Sequence, residues 1–211
     1  MIRRRLLATV LGLGLAATPV AGLFAWEAEV DTLKQRWERV TTELPEGERR
    51  GDLKALAAEA ERLAGAHPDA AMPQVWHGII EASHARERSG LGALSSARTA
   101  RDALEAAIEL DPRGADGSAY VTLGALYDRV PGGLVGFGDS ETAERMFRRA
   151  LEIRPEGIDV NFYFAAFLEE EGRLDEAREH ARRAVEGQAR EGRGASDEAL
   201  REEAGELLGR L

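Results

Sequence analysis

Three prolines punctuate the chain at nearly equal distances. Pro68, Pro112 and Pro155 close the segments RLAGAHP, AAIELDP and ALEIRP, at spacings of 44 and 43 residues. Reading backward from each proline gives the same ladder. Ala143, Phe147, Ala150 and Pro155 follow one another at intervals of four, three and five. Ala100, Leu104, Ala107 and Pro112 repeat those intervals, and Leu56, Ala60, Leu63 and Pro68 do so with large and small residues exchanged. Ala177, Ala181 and Ala184 continue the series without a proline. Intervals of four and three place side chains on one helical stripe, and alternating small with large lets two helices interlock. Proline ends each stripe because it has no N–H and clashes with the preceding turn. Alanine, leucine, glutamate and arginine dominate the composition and aromatics are only 6%, which favours helix throughout. A ladder repeated at a fixed period is the signature of stacked helical units.

Upstream of each ladder lies a partner helix, clearest in Tyr120-x-x-Leu123-Gly124-x-x-Tyr127. Together with Ala143, Phe147, Ala150 and Pro155, this resembles the tetratricopeptide (TPR) repeat, whose two helices carry a W-x2-L-G-x2-Y pattern, then A-x3-F and a closing proline. Gly172-Arg-Leu-Asp-Glu-Ala177 is similar to the inter-helix turn of a further repeat. The resemblance runs over roughly residues 50–187. It implies an all-α fold, a TPR-like α-solenoid of antiparallel helical hairpins. The spacing exceeds the ~34 residues of a TPR unit, so two hairpins should have enlarged inter-helix loops.

One enlargement is PGGLVGFGD, residues 131–139, with four glycines and a proline. A phosphate-cradling loop would need a preceding strand and a following Lys-Ser/Thr pair, and neither is present. The segment reads as an insertion, with Asp139 or Ser140 capping the next helix. Its glycines suit positive φ, and Leu134, Val135 and Phe137 are apolar enough to pack down. Phe137 is expected to dock on a neighbouring hairpin. The other enlargement is ARERSGLGALSS, in the preceding unit.

The strings VWHGII, GLGAL, DGSAY, LGALY, VPGG, GFGD and GIDVNFYFAAFL carry a narrower resemblance, to exported bacterial TPR proteins of unassigned activity. More distantly the chain is similar to the TatT-type periplasmic TPR components of TRAP transporters. Those resemblances imply a periplasmic scaffold with no cofactor and no catalytic residues to carry over.

The two ends differ from the repeats. MIRRR followed by 21 uncharged residues reads as an export signal over residues 1–25. The competing reading is an uncleaved anchor, which would be the chain's one membrane contact. Residues 26–48 form an amphipathic helix, with Trp26, Val30, Leu33, Trp37, Val40 and Leu44 alternating at four and three. That stripe either packs on the first repeat or forms a self-association seam, giving a homo-oligomer through residues 26–44. The TPR-like repeats occupy 49–187, and 188–211 is a linker with a C-terminal capping helix. The net charge of −10 argues against nucleic acid, whose binders present clustered cations. With no cysteine, disulfides, thiolate metal sites and thiol nucleophiles are all excluded.

In a TPR array the first helix of each hairpin lines a concave surface. By alignment Val75, Ile79, Val121, Ala125, Phe162 and Ala166 face that groove, with Asp128, Glu169 and Glu170 at its edge. Asn161 to Leu168 is apolar almost all round and needs a second cover, either a bound partner or the C-terminal helix folding back. His77, Glu81 and His84 share a helical face; exposed positions are the simpler reading, a metal-dependent module or enzyme the alternative. No Ser–His–Asp order or HExxH motif occurs. The reading that follows is a non-enzymatic scaffold of the cell envelope, binding a protein, peptide or small ligand in its groove, without cofactor or metal.

Overall fold

The structure, a computed structural model, describes residues 25–211. The export segment and its cleavage site lie outside the described residues. Among those described, nine α-helices follow in order: α1 (Ala25–Glu43), α2 (Glu46–Ala66), α3 (Ala71–Arg86), α4 (Gly90–Leu110), α5 (Ser118–Arg129), α6 (Ser140–Ile153), α7 (Ile158–Glu170), α8 (Leu174–Glu186) and α9 (Gly194–Arg210). A 3-10 turn, Gly114–Gly117, leads into α5.

The helices pair as α1/α2, α3/α4, α5/α6 and α7/α8, and each hairpin stacks on the next. The ladder residues hold the pairs together. Ala143, Phe147, Ala150, Ala100, Leu104, Ala107, Leu56, Ala60, Ala177, Ala181 and Ala184 are all buried almost completely. Gly124 explains how α5 and α6 come so close. A Cβ there would lie 2.6 Å from Phe147 Cε1, so glycine makes the recess that the ring fills. Gly78 does the same for Leu104, whose Cγ would lie 2.4 Å from an added Cβ. Phe147, Phe164 and Phe167 then form a continuous aromatic layer between the last two hairpins.

The two enlargements differ in kind. The first is helix, not loop: α4 begins at Gly90 and runs 21 residues, against 14 for α6 and 13 for α8. Its Leu-Gly-Ala-Leu-Ser-Ser-Ala sequence extends the helix backward instead of opening a loop. The second is a true loop, residues 130–139, pinched at its base where the Asp139 N–H donates to Tyr127 O at 2.9 Å. Asp139 caps α6, its side chain accepting from the Thr142 N–H at 2.7 Å. Of the four loop glycines only Gly133 has positive φ, 70°. Gly138 is required by proximity instead, since a Cβ would lie 1.8 Å from Val130 O. Phe137 turns inward as expected, meeting Tyr127 edge-on at 5.4 Å under the Arg101 guanidinium. Leu134 and Val135 do not pack down: they are 107% and 63% exposed.

Helix α1 packs onto its hairpin partner α2 and the following α3. Val30, Leu33, Trp37 and Val40 are buried against α2 and α3. Of the two readings of this stripe, packing within the chain is the one seen: four of its apolar side chains are buried and leave little surface for a self-association seam. No described helix is long and apolar enough to cross a membrane.

Candidate functional site

Helices α1, α3, α5 and α7 neighbour one another along the stack and form its concave side. That side is not empty. After α8 the chain runs through Gly187-Gln-Ala-Arg-Glu-Gly-Arg-Gly194 and crosses all four of these helices before α9 begins. The segment contains no large apolar side chain, so it is held by charge and by arginine stacking.

Arg190 is the centre of the attachment. Its Nε and Nη2 fork onto Asp197 at 2.9 and 2.5 Å, and its Nη1 lies 2.8 Å from Asp159 of α7. The same Nη1 approaches Ser118 Oγ of α5 at 3.3 Å. Asp159 is also gripped by Arg154, whose Nη2 lies 2.6 Å away. Burial pushes the Asp159 carboxyl up, but the Arg190 and Arg154 guanidiniums outweigh it and hold it below the usual carboxylate range. Burial likewise opposes the charge on Arg190, and Asp159 and Asp197 more than restore it.

Three residues on, Arg193 enters an aromatic recess. Its guanidinium sits 4.4 Å from the Trp37 ring centroid and 5.4 Å from that of Trp76. The indoles meet edge to face at 5.8 Å, and Trp37 Nε1 donates to Ser83 Oγ at 2.8 Å. Cations over indole faces are attracted by the ring quadrupole, most strongly when desolvated. Burial and the nearby Arg190 charge lower the Arg193 pKa to about 10, so it remains a cation at neutral pH. Glu38 of α1 completes the recess, with Oε2 3.5 Å from Arg193 Nε and Oε1 accepting from the Ser196 N–H at 2.7 Å. Gly192, at φ 66°, forms the turn that lets both arginines face the groove, closed by the Arg193 N–H donating to Arg190 O at 3.1 Å.

Helix α9 then covers the rest of α7 and α8. Leu207 and Ala204 are buried, with Leu207 against Ala165, Ala166 and Ala181. The second apolar side of α7 is thus covered by the chain's own C-terminus. The expected groove residues divide accordingly. Val75, Ile79 and Val121 are core residues packed between hairpins, and Ala166 lies beneath α9. Ala125 is half-buried beside the Phe147 cluster, and Phe162 is half-buried against Tyr163. The acidic edge is largely paired: Arg129 bridges Asp128 and Glu170 at 3.0 Å each, and Arg210 of α9 forks onto Glu169 at 2.9 and 3.0 Å. Burial raises the Asp128 pKa. Arg190, Arg193, Glu38, Asp159, Trp37 and Trp76, which make the groove's polar and aromatic contacts, were not singled out from the sequence as groove residues.

The His77/Glu81/His84 face is interior, not exposed. Both histidines are buried, and burial holds their pKa values below that of free imidazole. His84 Nδ1 lies 3.5 Å from Glu81 and 3.4 Å from Ser96 Oγ. Among the described residues no three His, Asp or Glu side chains are grouped to hold a metal ion. A crevice of about 350 Å³ between α1 and α2, lined by Glu29, Glu59, Arg62 and His67 among others, contains none of the expected site residues.

No protein-family model matches the chain, and none of the curated proteins compared with it matches. Solved structures do. The thermophilic TPR protein TTC0263 of Thermus thermophilus superposes with a TM-score of 0.59 at 17% identity, covering 90% of this chain and 93% of that one. MamA gives 0.48 at 19% identity, over 80% of this chain and 94% of its own. At 17% identity the likeness to TTC0263 is one of fold. The chain is an all-α protein with a TPR-like fold, its hairpins stacked in sequence order and its concave side crossed by its own C-terminal segment.

Proposed function

We propose that this chain is a non-catalytic protein-interaction scaffold of the cell envelope, binding a peptide segment of a partner protein along its concave face. The observation that carries the reading is the crossing at residues 187–197. A face that already holds a turn of polypeptide through two arginines, two indoles and a set of carboxylates has the chemistry of a peptide receptor. The Arg-rich start and the uncharged stretch after it support export, and the absence of cysteine is compatible with either compartment. The distant likeness to TatT-type components favours a role in an envelope assembly that handles substrate uptake. The metal-dependent alternative is weakened by the burial of His77 and His84.

The test uses the full chain as bait on envelope extract, beside a Phe162→Glu variant whose helical content is checked by circular dichroism. Recovery of a partner set that the folded variant loses is the expected result. The same partners on both would move binding away from the concave face. Intact mass of the protein from its native compartment, with about 20–28 residues removed, is expected for export; a retained Met1 would support the anchor.

A further inference from the structure

We propose that the concave face is specifically a receptor for a segment carrying two arginines three residues apart, and that residues 187–197 occupy it as an internal stand-in which such a partner displaces. The inference rests on the scaffold reading and names the chemistry of its partner.

The groove and its occupant are complementary halves. The groove contributes Glu38, Asp159 and Arg154, and the segment sets the two guanidiniums of Arg190 and Arg193 against the two carboxylates. The recess is built independently of what fills it. Trp37 is fixed by Ser83, and Trp76 by its place in the core. The internal occupant also leaves groups unsatisfied: Glu38 Oε2, Arg154 Nε and Arg154 Nη1 are buried without a hydrogen-bond partner. Buried polar groups left unpaired are costly, so a segment able to reach them has an advantage over the resident one.

Exchange does not require unfolding. The segment holds no large apolar side chain, and its polar contacts with the groove fall between Arg190 and Ser196; Gly187 O, at its start, accepts from Arg201 Nη2 of α9 at 2.9 Å. Ala204 and Leu207 can keep the body of α9 seated on α7 and α8 while residues 187–197 lift. Arginine, and not merely positive charge, is required. Trp37 and Trp76 read a stacked, planar guanidinium beside the Asp159 carboxylate, which lysine's compact ammonium does not reproduce.

The test adds a fluorescein-labelled peptide of residues 187–197, GQAREGRGASD, to the full chain and to an Arg190→Ala/Arg193→Ala double variant. The emptied groove should bind the peptide about tenfold more tightly than wild type, and a peptide with both arginines changed to lysine should bind about tenfold more weakly than the parent. A folded double variant that ignores the peptide, or takes the lysine peptide equally well, overturns the proposal. Should the variant fail to fold, amide exchange on the wild-type chain decides. The Arg193 and Ser196 amides should exchange faster than those of α7, and faster still with excess arginine peptide; exchange only together with α7 overturns it. Envelope partners captured equally with and without excess peptide would sink this inference and leave the scaffold reading standing. Peptide binding as described with no captured partner would sink the scaffold reading instead.

Discussion

Asp197 Oδ2 accepts from both the backbone N–H and the Nε of Arg190, at 2.8 and 2.9 Å. One carboxylate in the first turn of α9 therefore ties that helix back to the middle of the crossing segment, and only 1% of Asp197 is exposed. Asp197→Ala leaves Arg190 with Asp159 alone and should destabilise the protein by about 3–5 kcal/mol, the penalty for breaking a buried ion pair on one side. Urea unfolding followed by circular dichroism measures it, and a shift in tryptophan emission should accompany it as Arg193 loosens over Trp37. A loss well under 1 kcal/mol would mean the segment contributes little to the fold.

Gly124→Ala tests the close approach of α5 and α6. Helix propensity alone favours alanine over glycine by about 1 kcal/mol. The new methyl would lie 2.6 Å from a Phe147 ring that Phe164 and Phe167 hold in place, so overpacking should prevail, with a net loss of about 1–3 kcal/mol. A lower denaturation midpoint at unchanged slope is the expected signature; an increase would mean the ring can move aside.

The glycine-rich loop offers an internal control. Phe137→Ala removes the edge-on contact with Tyr127 and the seat of Arg101, and should lower stability by about 1–2 kcal/mol for a half-buried ring. Leu134→Ser, three residues away and fully exposed, should leave the melting temperature unchanged. Equal effects from both substitutions would contradict the docked loop.

His77, His84 and His180 have pKa values depressed chiefly by burial. His180 Nδ1 lies 2.8 Å from Asn161 Oδ1, while the Asn161 amide donates to Pro155 O and Gly157 O. That arrangement assigns the His180 proton to Nδ1 in the neutral ring. On acidification the unfolded chain takes up protons near pH 6.5, about the free imidazole value, before the folded chain does. Stability should be fully present above that pH and fall as pH drops below it. Melting temperatures measured from pH 7.5 to 6 should decline, and less steeply in His180→Gln. A flat or rising profile would contradict these burials.

The stack was legible because its determinants are local. Proline spacing, the four-and-three ladders and the Gly124/Phe147 exchange of small for large all act within one hairpin, and the ladder residues lie at the helix interfaces the intervals indicate. The groove was legible only in part. Alignment to the TPR pattern marked Val75, Ile79 and Val121 as lining, but a position in the first helix of a hairpin does not reveal whether its side chain faces the open side or the next hairpin, and these face the core. The crossing segment was hidden more deeply. GQAREGRG has the composition of a solvated linker, and what makes it structural is pairing at a distance: Arg190 with Asp159, 31 residues earlier, and Ser196 with Glu38, 158 residues earlier. No periodicity carries such information. The turn glycine between two arginines was the one local hint.

The contact between Ser196 and Glu38 changes what kind of polymer the stack is. A repeat array touching only its nearest neighbours melts like a one-dimensional lattice, with terminal units fraying first and partly unzipped forms along the way. Here the last helix is fastened to the first, so neither end is a free end, and peeling one requires breaking the buried charges that secure the other. The array behaves as a closed circuit whose transition should be all-or-none despite its modular build. Unfastening residues 187–197 would restore the open lattice, and a tug on either terminus would then peel the hairpins one at a time.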